Sequence, residues 1–280
     1  MYRRTILCLF IFAVSTVPVE GLSEEGDVAL DRANISFNPV HLQRGARTFV
    51  NYCLSCHSAS GFRYDGFRKI GLGKKEILTY LAPGKKMSDF LISPMSHFDA
   101  EKWFGVVPPD LSWVARSRGV DWIYTYLRSF YRDNSRPSGW NNVIFPSVNM
   151  PNVFYDLEGV RSVTFEDLRA IHHAASGDIS GYVHTVKTYP GDGSHSETVN
   201  NLPDMGHYPM SRVIWGDPSG GVVDPVAYDH IIADLVDFMA YMAEPTLEDR
   251  ESIGFFFVSW LLVLSGLFYA LKVDFWKDID

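Results

Sequence analysis

Residues 53–57, Cys53-Leu-Ser-Cys56-His57, decide what this 280-residue chain is built around. Two thiols three residues apart can each add to one vinyl group of a haem, and the His that follows then falls under the iron as an axial ligand. This is the attachment pattern of a c-type haem. The motif therefore predicts one covalently bound haem c, with Cys53 and Cys56 as its anchors and His57 as the first iron ligand.

Other roles for the cysteine pair are weaker. A zinc ribbon needs a second pair, and the only further cysteine is Cys8, near the start of the chain. A thioredoxin-like redox pair belongs to a βαβ setting, which this region lacks. A disulfide between residues three apart would close only a very small loop.

The segment before the motif has the pattern of a short helix. Asn38 can cap its start and Pro39 suits its first position. The pattern is typical of a helix that fixes the edge of a porphyrin, and it is equally compatible with an ordinary core helix. Apolar residues recur at helical spacing up to the first cysteine: Leu42, Ala46, Phe49 and Val50.

The second axial ligand is less sharply indicated. A methionine thioether is the common partner in an electron-transfer haem and raises its reduction potential. Met150 precedes Pro151, and a residue before proline favours an extended backbone that can present a side chain from a loop. Met239 and Met242 lie on an apolar helix and read as core residues. Histidine ligation, by His97 or His207, stays open from the residues alone, as do the methionines Met87, Met95, Met205 and Met210.

The N-terminus has the pattern of a secretory signal. A basic start, Met1-Tyr-Arg-Arg, precedes an apolar run from Ile6 to Val14 that is too short to span a bilayer comfortably. We predict that residues 1–21 form a signal peptide and that the mature chain begins near Leu22. A retained N-terminal anchor is the alternative.

The C-terminus has the pattern of a membrane anchor. Ile253 to Leu271 is an uncharged run close to the length of about 20 residues that crosses the hydrocarbon core. Lys272 and Lys277 follow it, which favours a tail on the cytoplasmic side. We therefore predict an exported haem domain over residues 22–245 and a transmembrane anchor with a short cytoplasmic tail over residues 246–280.

Composition excludes several classes. The chain has 33 acidic against 25 basic residues and a formal net charge of −8, which argues against nucleic acid as the main partner. Three cysteines are too few for a disulfide scaffold. The sequence contains no nucleophile elbow, phosphate-binding glycine loop or His-Glu-x-x-His zinc motif. Its expected work is electron transfer, so no residue is assigned a catalytic role.

The expected fold is mainly α, a c-type cytochrome haem domain with long loops and one C-terminal transmembrane helix. Further helices are expected over 110–118, from Asp121 onward, and from Asp224-Pro225 onward. Residues 171–223 read as an insertion of unknown fold. Within it, Tyr182 to Tyr189 alternates partly like a strand and residues 190–194 read as a turn, so a surface hairpin is possible.

Several blocks together resemble the cytochrome c1 family, the haem-c subunit of the cytochrome bc1 complex, in its proteobacterial form. The match runs from about residue 36 to the anchor. The block of residues 108–112, Pro-Pro-Asp-Leu-Ser, combined with a tail anchor is the specific part, since many cytochromes share the attachment motif. The matching blocks are residues 52–58, 103–112, 116–119, 136–142 and 145–151.

The resemblance implies a set of roles and partners. Met150 would be the second axial ligand, and Arg116 would face a haem propionate. Electrons would arrive from the Rieske iron–sulfur protein and leave to a soluble or tethered cytochrome c, in a complex with cytochrome b that is expected to be dimeric. The haem domain would lie on the periplasmic side of the inner membrane.

Two other classes remain. One is a stand-alone, membrane-anchored cytochrome c that carries electrons to an oxidase. The specific Pro-Pro-Asp-Leu-Ser block at residues 108–112 argues against it. The other is an exported haem enzyme with an open coordination position for small ligands.

Overall fold

The computed structural model describes residues 28–277, apart from 174–177, 204–205 and 207–209, with the side chains of 247–249 and 251–252 also left out. The predicted signal peptide therefore lies outside the described residues. The helices are α1 Pro39–Thr48, α2 Lys74–Glu76, α3 His97–Phe104, α4 Val114–Ser117, α5 Val120–Leu127, α6 Tyr155–Glu158, α7 Pro225–Ala243 and α8 Leu247–Trp276, with a 3-10 turn at Tyr64–Ile70 and π-helical turns at Phe49–Cys53 and Ile77–Leu81.

The capping signals that predict α1 and α7 act as expected. The side chain of Asn38 accepts from the backbone N–H of Val40, and Pro39 occupies the first helical turn of α1. Asp224 caps α7 in the same way, through the backbone N–H of Ala227. Both helices therefore begin where the sequence predicts, because a side-chain oxygen satisfies an N–H that has no partner within the helix.

Helices α1 and α7 cross in direct backbone contact. A Cβ placed on Gly45 of α1 would lie only 1.9 Å from the carbonyl oxygen of Asp234 in α7. Glycine is therefore required at this crossing, because any side chain would push the two helices apart. Ion pairs flank the crossing, with Arg44 Nε 2.5 Å and His41 Nδ1 2.9 Å from the carboxylate of Asp234.

A cluster of aromatic rings packs around the C-terminal half of α7. The ring of Phe238 lies 5.6 Å from that of Phe49, 5.6 Å from that of Phe67 and 5.9 Å from that of Phe62. All four side chains are buried. Aromatic contacts of this kind add to the apolar burial that holds a core together. They attach the end of α1 and the 3-10 turn to α7.

Residues 163–215 form a four-stranded antiparallel sheet, and the expectation of a mainly α protein is confirmed only in part. Helical residues make up 42% of those that the structure describes. The predicted strand is present as part of Ile179–Tyr189, and the predicted turn joins it to the next strand. The sheet starts at Val163, upstream of the predicted insertion, and has the order β8-β7-β6-β9. Its strands are β6 Val163–His172, β7 Ile179–Tyr189, β8 Ser196–Pro203 and β9 Met210–Trp215, and the short strands elsewhere are β1 Ala59–Arg63, β2 Phe90–Leu91, β3 Phe130–Arg132, β4 Trp140–Asn142, β5 Gly159–Val160 and β10 Ser219–Gly220.

The helix predicted over 110–118 is shorter than expected. α4 covers only Val114–Ser117, because the carboxylate of Asp110 accepts from the backbone N–H groups of Ser112 and Ser60, both at 2.8 Å. Those bonds close a tight turn instead of a helical one. The next predicted helix is present as α5, which begins at Val120, one residue before Asp121.

The C-terminal helix α8 fits the predicted anchor. Its stretch Ile253–Trp276 is 24 residues long, with a mean hydropathy of 2.0, and none of it is buried against the rest of the chain. It is long and apolar enough to cross a membrane, by length and composition. The connection between α7 and α8 holds Pro245, a residue that interrupts a helix.

Candidate haem site

The two attachment cysteines lie at the end of α1, in a π-helical turn and the loop that follows. Phe49–Cys53 forms the π turn, and the backbone N–H groups of Cys56 and His57 both bond to the carbonyl oxygen of Cys53, at 3.1 and 2.8 Å. Both thiols are free. Burial raises the pKa of the Cys53 thiol to about 12, whereas Cys56 is only partly buried. Both cysteines line one cavity.

His57 is held as a neutral imidazole. Its Nδ1 lies 2.8 Å from the carbonyl oxygen of Pro109, which accepts the Nδ1–H of that tautomer. Burial lowers the pKa of His57, against smaller opposing effects of that carbonyl and of Asp110. With the proton on Nδ1, the lone pair of Nε2 is available to a metal.

The segment that holds His57 is itself fixed by Asp110. Burial acts to raise the pKa of this carboxylate, but hydrogen bonds from Ser112 and Ser60 outweigh it and the pKa is lowered. The backbone N–H of Leu111 bonds to the carbonyl oxygen of Ser58 at 2.8 Å. The Pro-Pro-Asp-Leu-Ser block therefore has a mechanical role, since it places the Pro109 carbonyl against the imidazole.

Met150 reaches the same cavity from the loop after β4. The side chains of Asn141 and Asn142 accept several backbone N–H groups of that loop, among them those of Ser147 at 2.8 Å and Phe145 at 3.1 Å. The hydroxyl of Tyr126 donates to the sulfur of Met150 at 3.3 Å. The thioether is thus held by a positioned donor on α5.

The cavity between these groups is large and apolar. Its volume is about 430 Å³, within the range of about 300–1,000 Å³ that is usual for small-molecule sites. The donor set fits a c-type haem, because two thiols, a neutral imidazole and a thioether share the wall of one apolar cavity. Other lining residues come from the π turn, from α4 and the segments on either side of it, from α5, from the Met150 loop and from α7, and include Tyr52, Val106, Pro108, Leu111, Val114, Arg118, Trp122, Ile123, Phe145, Val153, Phe154 and Met239.

Arg116 does not line the cavity, contrary to the role that the resemblance implies. Its side chain is largely exposed, and its guanidinium lies 2.8 Å from the carboxylate of Glu244. Arg118, two residues later, does line the cavity and stacks over the ring of Trp122, with 5.1 Å to the ring centroid. The two arginines lie two residues apart at the one-turn helix α4, a spacing that directs their side chains to different sides of the turn.

Sequence reasoning missed two further residues of the cavity wall. Trp122 and Tyr126 stack with 4.9 Å between ring centroids, and the indole Nε1 of Trp122 is buried without a hydrogen-bond partner among the described residues. The signal was present as two aromatic residues four apart on a helix. Nothing in their spacing separates a cavity wall from an ordinary core face.

The other candidate ligands are placed less favourably. Met239 lines the cavity but is 4% exposed within the core face of α7, and Met242 is buried there too. His97 starts α3, is exposed, and does not line the cavity. Met205 and His207 lie outside the described residues.

Comparison with known proteins gives one family. The model of the Cytochrome C1 family matches residues 30–186 and 198–279. The gap between the two matches falls on the end of β7, the turn and the start of β8, within the sheet.

Two curated relatives match nearly the full chain. One is "Cytochrome c1" of Allochromatium vinosum, 36% identical over 281 residues, which covers 99% of each chain. The other is "Ammonia monooxygenase gamma subunit" of Nitrosomonas europaea, 36% identical over 271 residues, with 96% of this chain and 97% of the relative covered. A third, "Cytochrome c1" of Rhodospirillum rubrum, is 25% identical over 287 residues.

Proposed function

The chain belongs to the cytochrome c1 family, and from that premise we propose that it passes electrons from the Rieske iron–sulfur protein to a soluble or tethered cytochrome c. The family carries one covalently bound haem c and is a membrane-anchored subunit of the bc1 complex, where it transfers electrons. Cytochrome b and the Rieske protein are therefore its implied partners, as part of quinol–cytochrome c reductase. The direction of flow, the acceptor and a dimeric complex belong to the proposal.

Four residues would hold the cofactor. Cys53 and Cys56 would form the thioether bonds, while His57 Nε2 and Met150 Sδ would be the axial ligands. When bound, the haem supplies a reversible one-electron change at its iron. The chain's own part is to hold both ligands in place, through the Pro109 carbonyl and the Tyr126 hydroxyl, and to exclude water with an apolar wall.

One observation carries the proposal: a neutral imidazole and a hydrogen-bonded thioether share the wall of one apolar cavity. A site with both axial positions supplied by protein suits electron transfer, whereas oxidation of a substrate at the iron needs an open position. This argues against a haem enzyme. It also favours the role indicated by the relatives named cytochrome c1 over a substrate-oxidising role suggested by the monooxygenase name of the other relative.

Arg118 and Trp122 would meet the propionates. A propionate is an anionic carboxylate, and a partly buried one needs cationic or hydrogen-bonding partners. Arg118 and Trp122 both line the cavity, and the indole N–H of Trp122 has no hydrogen-bond partner in the described part of the chain. We therefore place the role first expected of Arg116 on Arg118.

The membrane topology follows from the two ends of the chain. The signal pattern of residues 1–21 and the lysines after the apolar helix favour a periplasmic haem domain and a cytoplasmic C-terminus on the inner membrane. The domain boundaries at residues 21 and 245 stay predictions. A net charge of −8 would steer a basic electron acceptor toward the chain.

The axial ligand is tested by Met150→Leu, with Met242→Leu as a matched control at a buried position that does not line the cavity. We expect Met150→Leu to lower the haem potential by on the order of 0.1 V and to open the iron to carbon monoxide. Met242→Leu should do neither. An unchanged potential, or carbon monoxide binding by the unaltered protein, would exclude Met150 as the ligand.

Membership of a complex is tested by gentle solubilisation of membranes. We expect this chain to co-purify with cytochrome b and the Rieske protein. If it instead purifies alone and reduces an oxidase directly, the stand-alone cytochrome becomes the correct function.

A further inference from the structure

A strongly basic surface lies on residues 63–86, a stretch we call the basic segment. It carries five lysines and two arginines against two acidic residues, a net charge of +5 in a chain whose total is −8. All seven cationic side chains are exposed. The haem site uses none of them. The cations are Arg63, Arg68, Lys69, Lys74, Lys75, Lys85 and Lys86.

The charges of the lysines are not compensated within the part of the chain that the structure describes. The two acidic residues of the segment are already engaged, Asp65 with Arg68 at 3.6 Å and Glu76 with the backbone N–H of Gly73 at 2.8 Å. No described acidic side chain lies within ion-pair distance of the five lysines. A concentrated, unneutralised positive surface on an acidic protein favours an anionic partner.

The fold brings the two ends of the basic segment together. The backbone N–H groups of Tyr64 and Asp65 bond to the carbonyl oxygens of Asp89 and Met87, at 3.1 and 2.9 Å. Lys85 and Lys86 are therefore beside the 3-10 turn that carries Arg68 and Lys69. Lys74 lines one shallow pocket together with Arg68 and Lys69, so cations from the start, middle and end of the segment lie near one another.

This surface is attached to the membrane end of the haem domain. The hydroxyl of Tyr241, in the last turn of α7, donates to the carbonyl oxygen of Gly66 at 3.2 Å, and the Phe67 ring stacks on Phe238 of the same helix. α7 ends at Ala243, and the membrane-spanning stretch begins at Ile253 of α8.

The distance to the lipid follows from helix geometry. From Leu247 to Ile253 the helix rises by about 9 Å, at about 1.5 Å per residue. The headgroup layer extends about 5–7 Å beyond the hydrocarbon core on each side. The end of α7 thus lies within about one Debye length, roughly 8–10 Å, of the headgroups, the range over which an anionic surface attracts lysine and arginine.

We propose that the basic segment docks on anionic phospholipid headgroups of the membrane that holds α8, and so orients the haem domain against the bilayer. Tyr80, which is 77% exposed in the middle of the segment, has the amphipathic ring that suits the interface. The inference rests on membrane anchoring by α8 and not on the direction of electron flow. It holds whichever side of the membrane the domain occupies.

The experiment uses the full-length, haem-loaded chain in vesicles of phosphatidylcholine alone or with 30% phosphatidylglycerol. Amine acetylation of individual lysines is followed by mass spectrometry, with Lys102 and Lys187, both outside the segment, as internal references. We expect Lys69, Lys74 and Lys75 to react at least about threefold more slowly in the anionic vesicles. The difference should disappear in 1 M salt, where the screening length is about 3 Å.

A matched variant tests whether the segment acts as one surface. Lys74→Gln combined with Lys75→Gln should reduce the protection of Lys69, whereas Lys187→Gln should leave it unchanged. If both variants lost the protection of Lys69 from acetylation, the proposal would be overturned.

Four other outcomes would overturn the proposal. Equal rates in both vesicles would show that lipid charge is not recognised. Protection by inorganic phosphate in neutral vesicles would assign the surface to a free anion, and protection that requires added partner subunits would assign it to an acidic protein. Release of the chain by alkaline carbonate would show separately that α8 is not an anchor.

Discussion

The hydrogen bond from Tyr126 to Met150 predicts how the potential of the haem is set. The hydroxyl donates to the thioether sulfur at 3.3 Å, in the wall of a mostly apolar cavity. Such a bond withdraws electron density from the sulfur. With Met150 as the proposed ligand, it would weaken donation to the oxidised iron more than to the reduced iron, and so would raise the potential. Tyr126→Phe removes the donor and keeps the ring that stacks on Trp122.

The size of the effect follows from the energy of one hydrogen bond. A typical net contribution is about 0.5–1.5 kcal/mol. For a one-electron couple, about 1.4 kcal/mol corresponds to about 59 mV, so 1 kcal/mol is about 43 mV. Only the part that differs between the two oxidation states appears in the potential. We expect Tyr126→Phe to lower it by about 20–40 mV.

The assay is a spectroelectrochemical titration of the purified, haem-loaded protein. Tyr124→Phe is the matched control, since it is the same substitution on the same helix, at a ring that contacts Arg128 and not the ligand. The control should leave the potential unchanged, and both variants should keep the spectrum of methionine ligation. A potential that rises, or one that does not differ between the two variants, would refute the role of the hydroxyl.

Three further predictions rest on burial and charge. In the haem-free chain, a maleimide should label Cys56 more than about tenfold faster than Cys53, because burial raises the pKa of the Cys53 thiol to about 12. Equal labelling rates, measured by mass spectrometry, would contradict this prediction. Burial raises the pKa of Glu158 from 4.5 to about 7, so between those pH values the folded chain binds more protons than the unfolded chain and its stability falls as pH rises. Urea unfolding at pH 5 and pH 8 should therefore show that the free energy of unfolding of the wild type decreases by on the order of 2 kcal/mol more than that of Glu158→Gln. Equal decreases in the two proteins would count against this role of Glu158. Arg118→Gln should lower the haem potential by roughly 30 mV while Arg116→Gln leaves it unchanged, and the reverse order would restore Arg116 as the propionate partner.

The parts of the fold that sequence predicts well are those with local signals. Asn38-Pro39 and Asp224-Pro225 mark the starts of α1 and α7, because capping involves only neighbouring residues. The apolar helix at the C-terminus is predicted equally well, since the thickness of the membrane sets its length and the rest of the chain does not.

The sheet over residues 163–215 is hard to predict for a physical reason. A strand shows clear alternation only when one face is buried and the other meets water. β8 is exposed along almost its whole length, and β7 has a long run of half-buried positions on both faces. Pairing, not burial, holds these strands, and pairing partners are not visible in the sequence.

The site divides in the same way. Cys53, Cys56 and His57 are predicted from their spacing alone, because the chemistry of haem attachment fixes that spacing. Arg116 and Arg118 differ by two residues at a single-turn helix, and only the packing of that turn against the rest of the fold determines which one lines the cavity. Tyr126 depends on a contact with Met150, 24 residues away. A contact between residues that far apart in the chain cannot be recognised from a single sequence.

The backbone contact at Gly45 has a consequence for where the iron sits. α1 leads to Cys53 and Cys56, and α7 ends at Ala243 beside Glu244, whose carboxylate pairs with both Arg116 and Arg250 just before α8 begins. Since no side chain fits between the two helices at Gly45, neither can slide along the other without opening the crossing. The backbone contact between Gly45 and Asp234 would therefore fix the distance of the proposed haem from the membrane.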